Sequence, residues 1–83
     1  DNYNIKSRAR CLRDYCVGDD EGDAFVHLTL SLLSGRSMAV RAALAENLVA
    51  VLKPLLHTDA RMQITVEVRE MVRDCYGKEV ITD

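Results

Sequence analysis

The stretch Ala24-Phe25-Val26-His27-Leu28-Thr29-Leu30-Ser31-Leu32-Leu33, closed by Ser34-Gly35-Arg36-Ser37, decides how the rest of the chain is read. Ala24, Val26, Leu28, Leu30 and Leu32 alternate with Phe25, His27, Thr29 and Ser31, and a period of two is that of a β-strand. The first set is wholly aliphatic and is expected to meet a helix. The second is mixed and is expected to meet something more polar, such as a subunit interface or a site. Gly35 turns the chain, and Ser37 is a good helix N-cap because its hydroxyl can accept from the free N–H groups of a first turn.

Toward the C-terminus, the spacing predicts a helix from Met38 to about Leu56. Val40, Leu44, Leu48, Val51, Leu52 and Leu55 fall on one stripe, with Arg41, Asn47 and Lys53 mostly elsewhere. Alanines at 39, 42, 43, 45 and 50 favour the helix and allow close approach to a sheet. Pro54 lacks an N–H and crowds the preceding turn, so a kink or an early end is expected near it. After the connection His57-Thr58-Asp59-Ala60, Met62, Ile64, Val66 and Val68 alternate with Gln63, Thr65, Glu67 and Arg69, the pattern of another strand. Strand, long crossover and strand predict a right-handed βαβ unit with parallel strands. The tail after Val72 has no clear period.

Toward the N-terminus, Ile5 to Val17 is rich in strand formers. It reads as a half-exposed strand with Ile5, Ala9 and Cys11 on one face and Lys6, Arg8, Arg10 and Leu12 on the other. Gly18-Asp19-Asp20-Glu21-Gly22-Asp23 is acidic and without apolar residues, a solvated loop whose charge needs no role beyond solubility.

Bulk properties set the frame. A chain of 83 residues is one small domain, residues 1–83, near the lower limit for a self-sufficient core. Hydrophobic residues make up 48% and aromatic residues 5%, so the interior is aliphatic. Small aliphatic domains often bury further surface against partner subunits. With 11 Lys plus Arg against 13 Asp plus Glu, the net charge of -2 argues against general nucleic-acid binding. No apolar run is long enough for a membrane span, and the polar residues 1–4 are no secretory signal. Cys11, Cys16 and Cys75 are odd in number and form no C-x-x-C pair. They read as free packing thiols in a reducing, cytoplasmic compartment. His27 and His57 have no partner at a metal-ligand spacing, so no metal is expected.

Three features could carry chemistry. Gly35-Arg36-Ser37 puts a planar fork of donors beside the N–H groups and positive dipole end of a helix, a plausible anion clamp. From spacing alone, a surface arginine beside an ordinary helix cap is the plainer reading. Lys6, Arg8 and Arg10 form a cationic ladder that could hold a second carboxylate, or simply an edge strand kept soluble by charge. His27 could act as an acid or base, but reads better as a hydrogen-bonded structural group. His57, at the helix end, needs no role beyond its place there.

Ile5-Lys6-Ser7-Arg8-Ala9 and Ala24-Phe25-Val26-His27-Leu28-Thr29-Leu30, with Ser34-Gly35-Arg36-Ser37, the aliphatic helix and the strand 63–70, carry a further reading. Over residues 4–72, and more faintly 76–80, the chain resembles the 5-carboxymethyl-2-hydroxymuconate isomerases of the tautomerase superfamily. The resemblance implies an α/β (α+β) subunit of two βαβ halves, assembled as a homotrimer. This chain matches its C-terminal part: one β-α-β sheet with a helix on one face, the opening β-α being absent. It implies a cofactor-independent isomerase of aromatic-compound catabolism, shifting a proton within an unsaturated dicarboxylate.

In that family the base is the secondary amine of an N-terminal proline, while cationic side chains hold the substrate carboxylates. Arg36 matches the arginine of the Gly-Arg-Ser motif, and Lys6 and Arg8 match two arginines of an Ile-Arg-Ser-Arg segment. These three are the expected substrate-binding residues. A lysine at position 6 keeps the charge and loses the fork, which affects substrate choice. His27 matches a family histidine without a catalytic role. The only proline here is Pro54, so no catalytic group is expected within these residues. The expectation is a preceding segment or a separate chain whose strand lies between the one at 5–17 and the one at 24–33. The alternative is an oligomeric module on the same scaffold that binds small anions or serves structure without catalysis.

Overall fold

The computed structural model describes residues 5–18, 23–57 and 61–82. Two strands, β1 (Ala24–Leu33) and β2 (Met62–Met71), pair in parallel, joined through the helix α1 (Met38–Leu52). Short 3-10 turns follow the helix at Lys53–Leu55 and the second strand at Arg73–Cys75. This is the βαβ unit that the sequence predicts, with one helix on one face of the sheet. β1 has its expected bounds, and β2, at Met62–Met71, extends the expected strand 63–70 by one residue at each end.

The register explains which residues face the helix. Val26 aligns with Ile64, Leu28 with Val66 and Leu30 with Val68. All six are partly covered, while His27, Thr29 and Ser31 of β1 and Thr65, Glu67 and Arg69 of β2 are exposed. The aliphatic set therefore lies under α1, and removing these branched side chains from water drives the packing.

The helix begins where its cap places it. Ser37 has extended backbone, and its Oγ accepts from the Val40 N–H at 3.2 Å. The α-helical run stops at Leu52, two residues before Pro54, and tightens into the 3-10 turn. Pro54 has no N–H to offer the Ala50 carbonyl, so the early end is the one expected.

The covered face of α1 differs from the expected stripe. Arg41, Leu44, Ala45, Leu48, Val49 and Leu52 are partly covered, whereas Val40, Val51 and Leu55 are 47%, 58% and 68% exposed. The helix is rotated because it lies mainly against β2, where Arg41 Nη2 meets Glu70 Oε1 at 3.3 Å. The aliphatic stem of Arg41 covers sheet while its head finds a carboxylate.

The expected strand at Ile5–Val17 is not formed. Residues 5–16 are exposed and irregular, and Val17 alone makes a β-bridge. Among the described residues, the Tyr15 ring ties the segment to β1 by meeting Phe25 edge-on, with centroids 5.4 Å apart. A strand exists only with a hydrogen-bonding neighbour. β2 takes one edge of β1, and residues 5–16 do not reach the other.

The acidic loop also departs from its reading at its last residue, positions 19–22 lying outside the described residues. Asp23 is 9% exposed and pairs with Arg61, whose Nε donates to Oδ2 at 3.1 Å and whose Nη2 lies 3.0 Å from it. With the Ala24 N–H on the Arg61 carbonyl at 2.8 Å, this pair fixes the start of both strands. Of the connection at 57–60, residues 58–60 lie outside the described residues. The cysteines are free, as expected, but all three are exposed instead of packed.

No apolar side chain among the described residues is fully buried. The chain exposes 7536 Å², against about 5,000 Å² for a compact monomer of this mass. Its radius of gyration is 16.1 Å, against about 12 Å for a compact domain of this length. No helix among the described residues is long and apolar enough to cross a membrane.

Candidate functional site

Arg36 follows the carboxyl end of β1. In open parallel sheets this end is where ligands bind, because the chain turns there from strand to helix and leaves a crevice. Ser34 continues the pairing, its N–H donating to the Met71 carbonyl at 2.9 Å. Gly35 follows with φ 127°, a left-handed conformation that a side chain would strain. Arg36 comes next, then the Ser37 cap. Strand end, glycine, arginine and cap are thus set by local rules that the sequence displays openly.

Arg36 is exposed, and its Nη1 donates to the Leu33 carbonyl at 3.3 Å. That bond is long, and it leaves most of the guanidinium's donors open. No carboxylate among the described residues lies within ion-pairing distance of Arg36. The contrast with the other sheet and helix arginines is direct: Arg41 is paired with Glu70, Arg61 with Asp23 and Arg69 with Glu67. An arginine left unneutralised at the turn into a helix can take a carboxylate through charge-assisted hydrogen bonds.

Lys6 and Arg8, the other expected binding residues, lie in the irregular N-terminal segment. Both are exposed, and neither is hydrogen-bonded or ion-paired to a described residue. Arg36 stands alone among the three in having a defined seat.

Sequence reasoning missed Arg73. It opens the 3-10 turn after β2, and its Nε donates to the Ser34 carbonyl at 2.6 Å. An added Cβ on Gly35 would lie 3.6 Å from Arg73 Nη2. Nothing in the aperiodic tail marks this residue, because the contact joins positions 39 apart.

His27 occupies the opposite, exposed face and is engaged on both ring nitrogens. Nδ1 lies 2.7 Å from Thr65 Oγ1, and Nε2 lies 3.2 Å from Thr29 Oγ1 and 4.0 Å from Glu67 Oε1. This is the hydrogen-bonded structural histidine expected from its mid-strand place. Among the described residues, no group of three His, Cys, Asp or Glu side chains is arranged to hold a metal.

Comparison with known proteins adds a family. No curated protein and no solved structure matches the chain. The sequence profile described as 5-carboxymethyl-2-hydroxymuconate isomerase matches residues 2–80, nearly the whole length. That span takes in the βαβ unit, the Gly35-Arg36-Ser37 turn and the exposed cationic segment alike, and the chain belongs to this isomerase family of the tautomerase superfamily.

Proposed function

We propose that this chain supplies the carboxylate-binding site of a cofactor-independent isomerase that moves a proton between two positions of an unsaturated dicarboxylate. Arg36 holds one carboxylate, and Lys6 and Arg8 add positive charge from the N-terminal segment. As a proton leaves the conjugated acid, negative charge spreads along it as a dienolate. Fixed cations at the carboxylates stabilise that charge more than they stabilise the ground state, which is the condition for acceleration. A base accepts the proton and returns it two atoms along the chain.

This reading assigns the role of base to none of the described residues. Pro54 has an amide nitrogen without basicity and stands in the 3-10 turn beyond α1. The large exposed area, and Val40 and Val51 left open on α1 with Leu55 open in the turn after it, favour an assembly of several copies, a homotrimer being the form that family resemblance implies. Cytoplasmic residence and a place in aromatic-compound catabolism belong to the same reading.

The observation that carries the proposal is the unneutralised guanidinium of Arg36 at the strand-to-helix turn. Proton NMR of 2-hydroxymuconate in D₂O with the full-length protein tests it. Catalysed formation of the 2-oxo isomer, with deuterium entering at carbon, is the expected result. Binding without deuterium uptake above the uncatalysed rate would instead favour a non-catalytic anion-binding module.

A further inference from the structure

Arg73 is the functional group the sequence did not announce. Its guanidinium and that of Arg36 are anchored on successive carbonyls of one turn, Ser34 and Leu33. The Ser34 N–H faces β2, and Arg73, arriving from the end of β2, reaches the carbonyl of the same residue. Arg36 returns to the preceding carbonyl. The two guanidinium groups therefore flank the Gly35 turn.

Two observations separate Arg73 from an ordinary surface arginine. It is held by Nε alone, so the terminal nitrogens remain open as donors. Asp74 neighbours it in the 3-10 turn, and Glu70 is taken by Arg41, yet no carboxylate among the described residues pairs with Arg73.

We propose that Arg73 is a second carboxylate-binding residue of the Arg36 site, so that a dicarboxylate lies across the Gly35 turn with one carboxylate on each guanidinium. This rests on the anion-binding reading of Arg36 and deepens it. Arg73 supplies the planar fork that Lys6, a point charge on a flexible stem, lacks. It sets specificity, favouring diacids over monoacids.

Substitution can part the tether from the charge. In Arg73→Gln the amide nitrogen stands as many bonds from Cα as the arginine Nε does, so the donor to the Ser34 carbonyl is kept while the terminal nitrogens are lost. Arg73→Met removes both. Calorimetric titration of the full-length protein with muconate, a diacid, and sorbate, a monoacid of similar carbon frame, reads the result. Both variants are expected to weaken muconate about tenfold and to leave sorbate within about twofold of the unaltered protein. Wild-type muconate affinity in Arg73→Gln overturns the proposal, as does an equal loss for both acids. If Arg36→Gln abolishes muconate binding while Arg73→Gln does not, the Arg36 site stands and Arg73 falls. If the unaltered protein binds no muconate, both fall together.

Discussion

Arg36 owes its availability to what surrounds it. Its one internal bond is a 3.3 Å donation to Leu33, and no described carboxylate competes for it. Replacing it with glutamine removes a charge-assisted contact of about 1.5–3 kcal/mol, and a loss of roughly tenfold to a hundredfold in kcat/KM is expected. Lysine restores the charge without the fork, so Arg36→Lys should fall between the two. Steady-state kinetics on an unsaturated diacid check the order. This residue was legible because glycine, arginine and a capping serine are contiguous in sequence. Arg73 was not, because its partner is 39 positions away and its own segment has no period. Asp23 was misread for the same reason: its partner, Arg61, stands 38 residues on. An ion pair of that separation leaves no trace in local composition.

At the scale of elements, periodicity carried the reading where one face is covered and one is not. β1 and β2 alternate over most of their length, and their register puts aliphatic against aliphatic from Val26 and Ile64 to Leu30 and Val68, with Leu32 opposite Glu70. The helix was legible in extent and misread in rotation. Val40, Val51 and Leu55 satisfy the apolar stripe as well as Ala45 and Val49 do, and the covered side is the one that also brings Arg41 to Glu70. The N-terminal strand failed because strand formers express themselves only beside a partner. The start of α1 depends on Ser37, whose hydroxyl satisfies the Val40 N–H. Ser37→Ala should destabilise the protein by about 1 kcal/mol, read as a lower denaturation midpoint with an unchanged slope. Ser37→Asn, which caps equally well, should restore it.

The whole molecule is held open. With 7536 Å² exposed and no apolar side chain fully buried among the described residues, the βαβ unit has more apolar surface than its own elements cover. The exposed Val40 and Val51 of α1, with Leu55 in the turn that follows, are the clearest part of that surplus. A charge introduced there distinguishes a free surface from a joint. On a free surface, Val51→Asp and Leu55→Asp would each change stability by less than about 0.5 kcal/mol. At a joint they dissociate the assembly, and a fall in mass by light scattering, at unchanged helix content, is the outcome expected.

The position of the ligand is the most direct test. Backbone amide and arginine side-chain ¹⁵N shifts of the full-length protein can be followed during titration with muconate. Saturable shifts centred on Gly35, Arg36, Ser37 and Arg73, with little change at Asp23 and Arg61 at the opposite end of the strands, are the expected result. Saturable shifts confined to that opposite end, or to the His27 face, would contradict the placement of the anion site at the strand-to-helix turn.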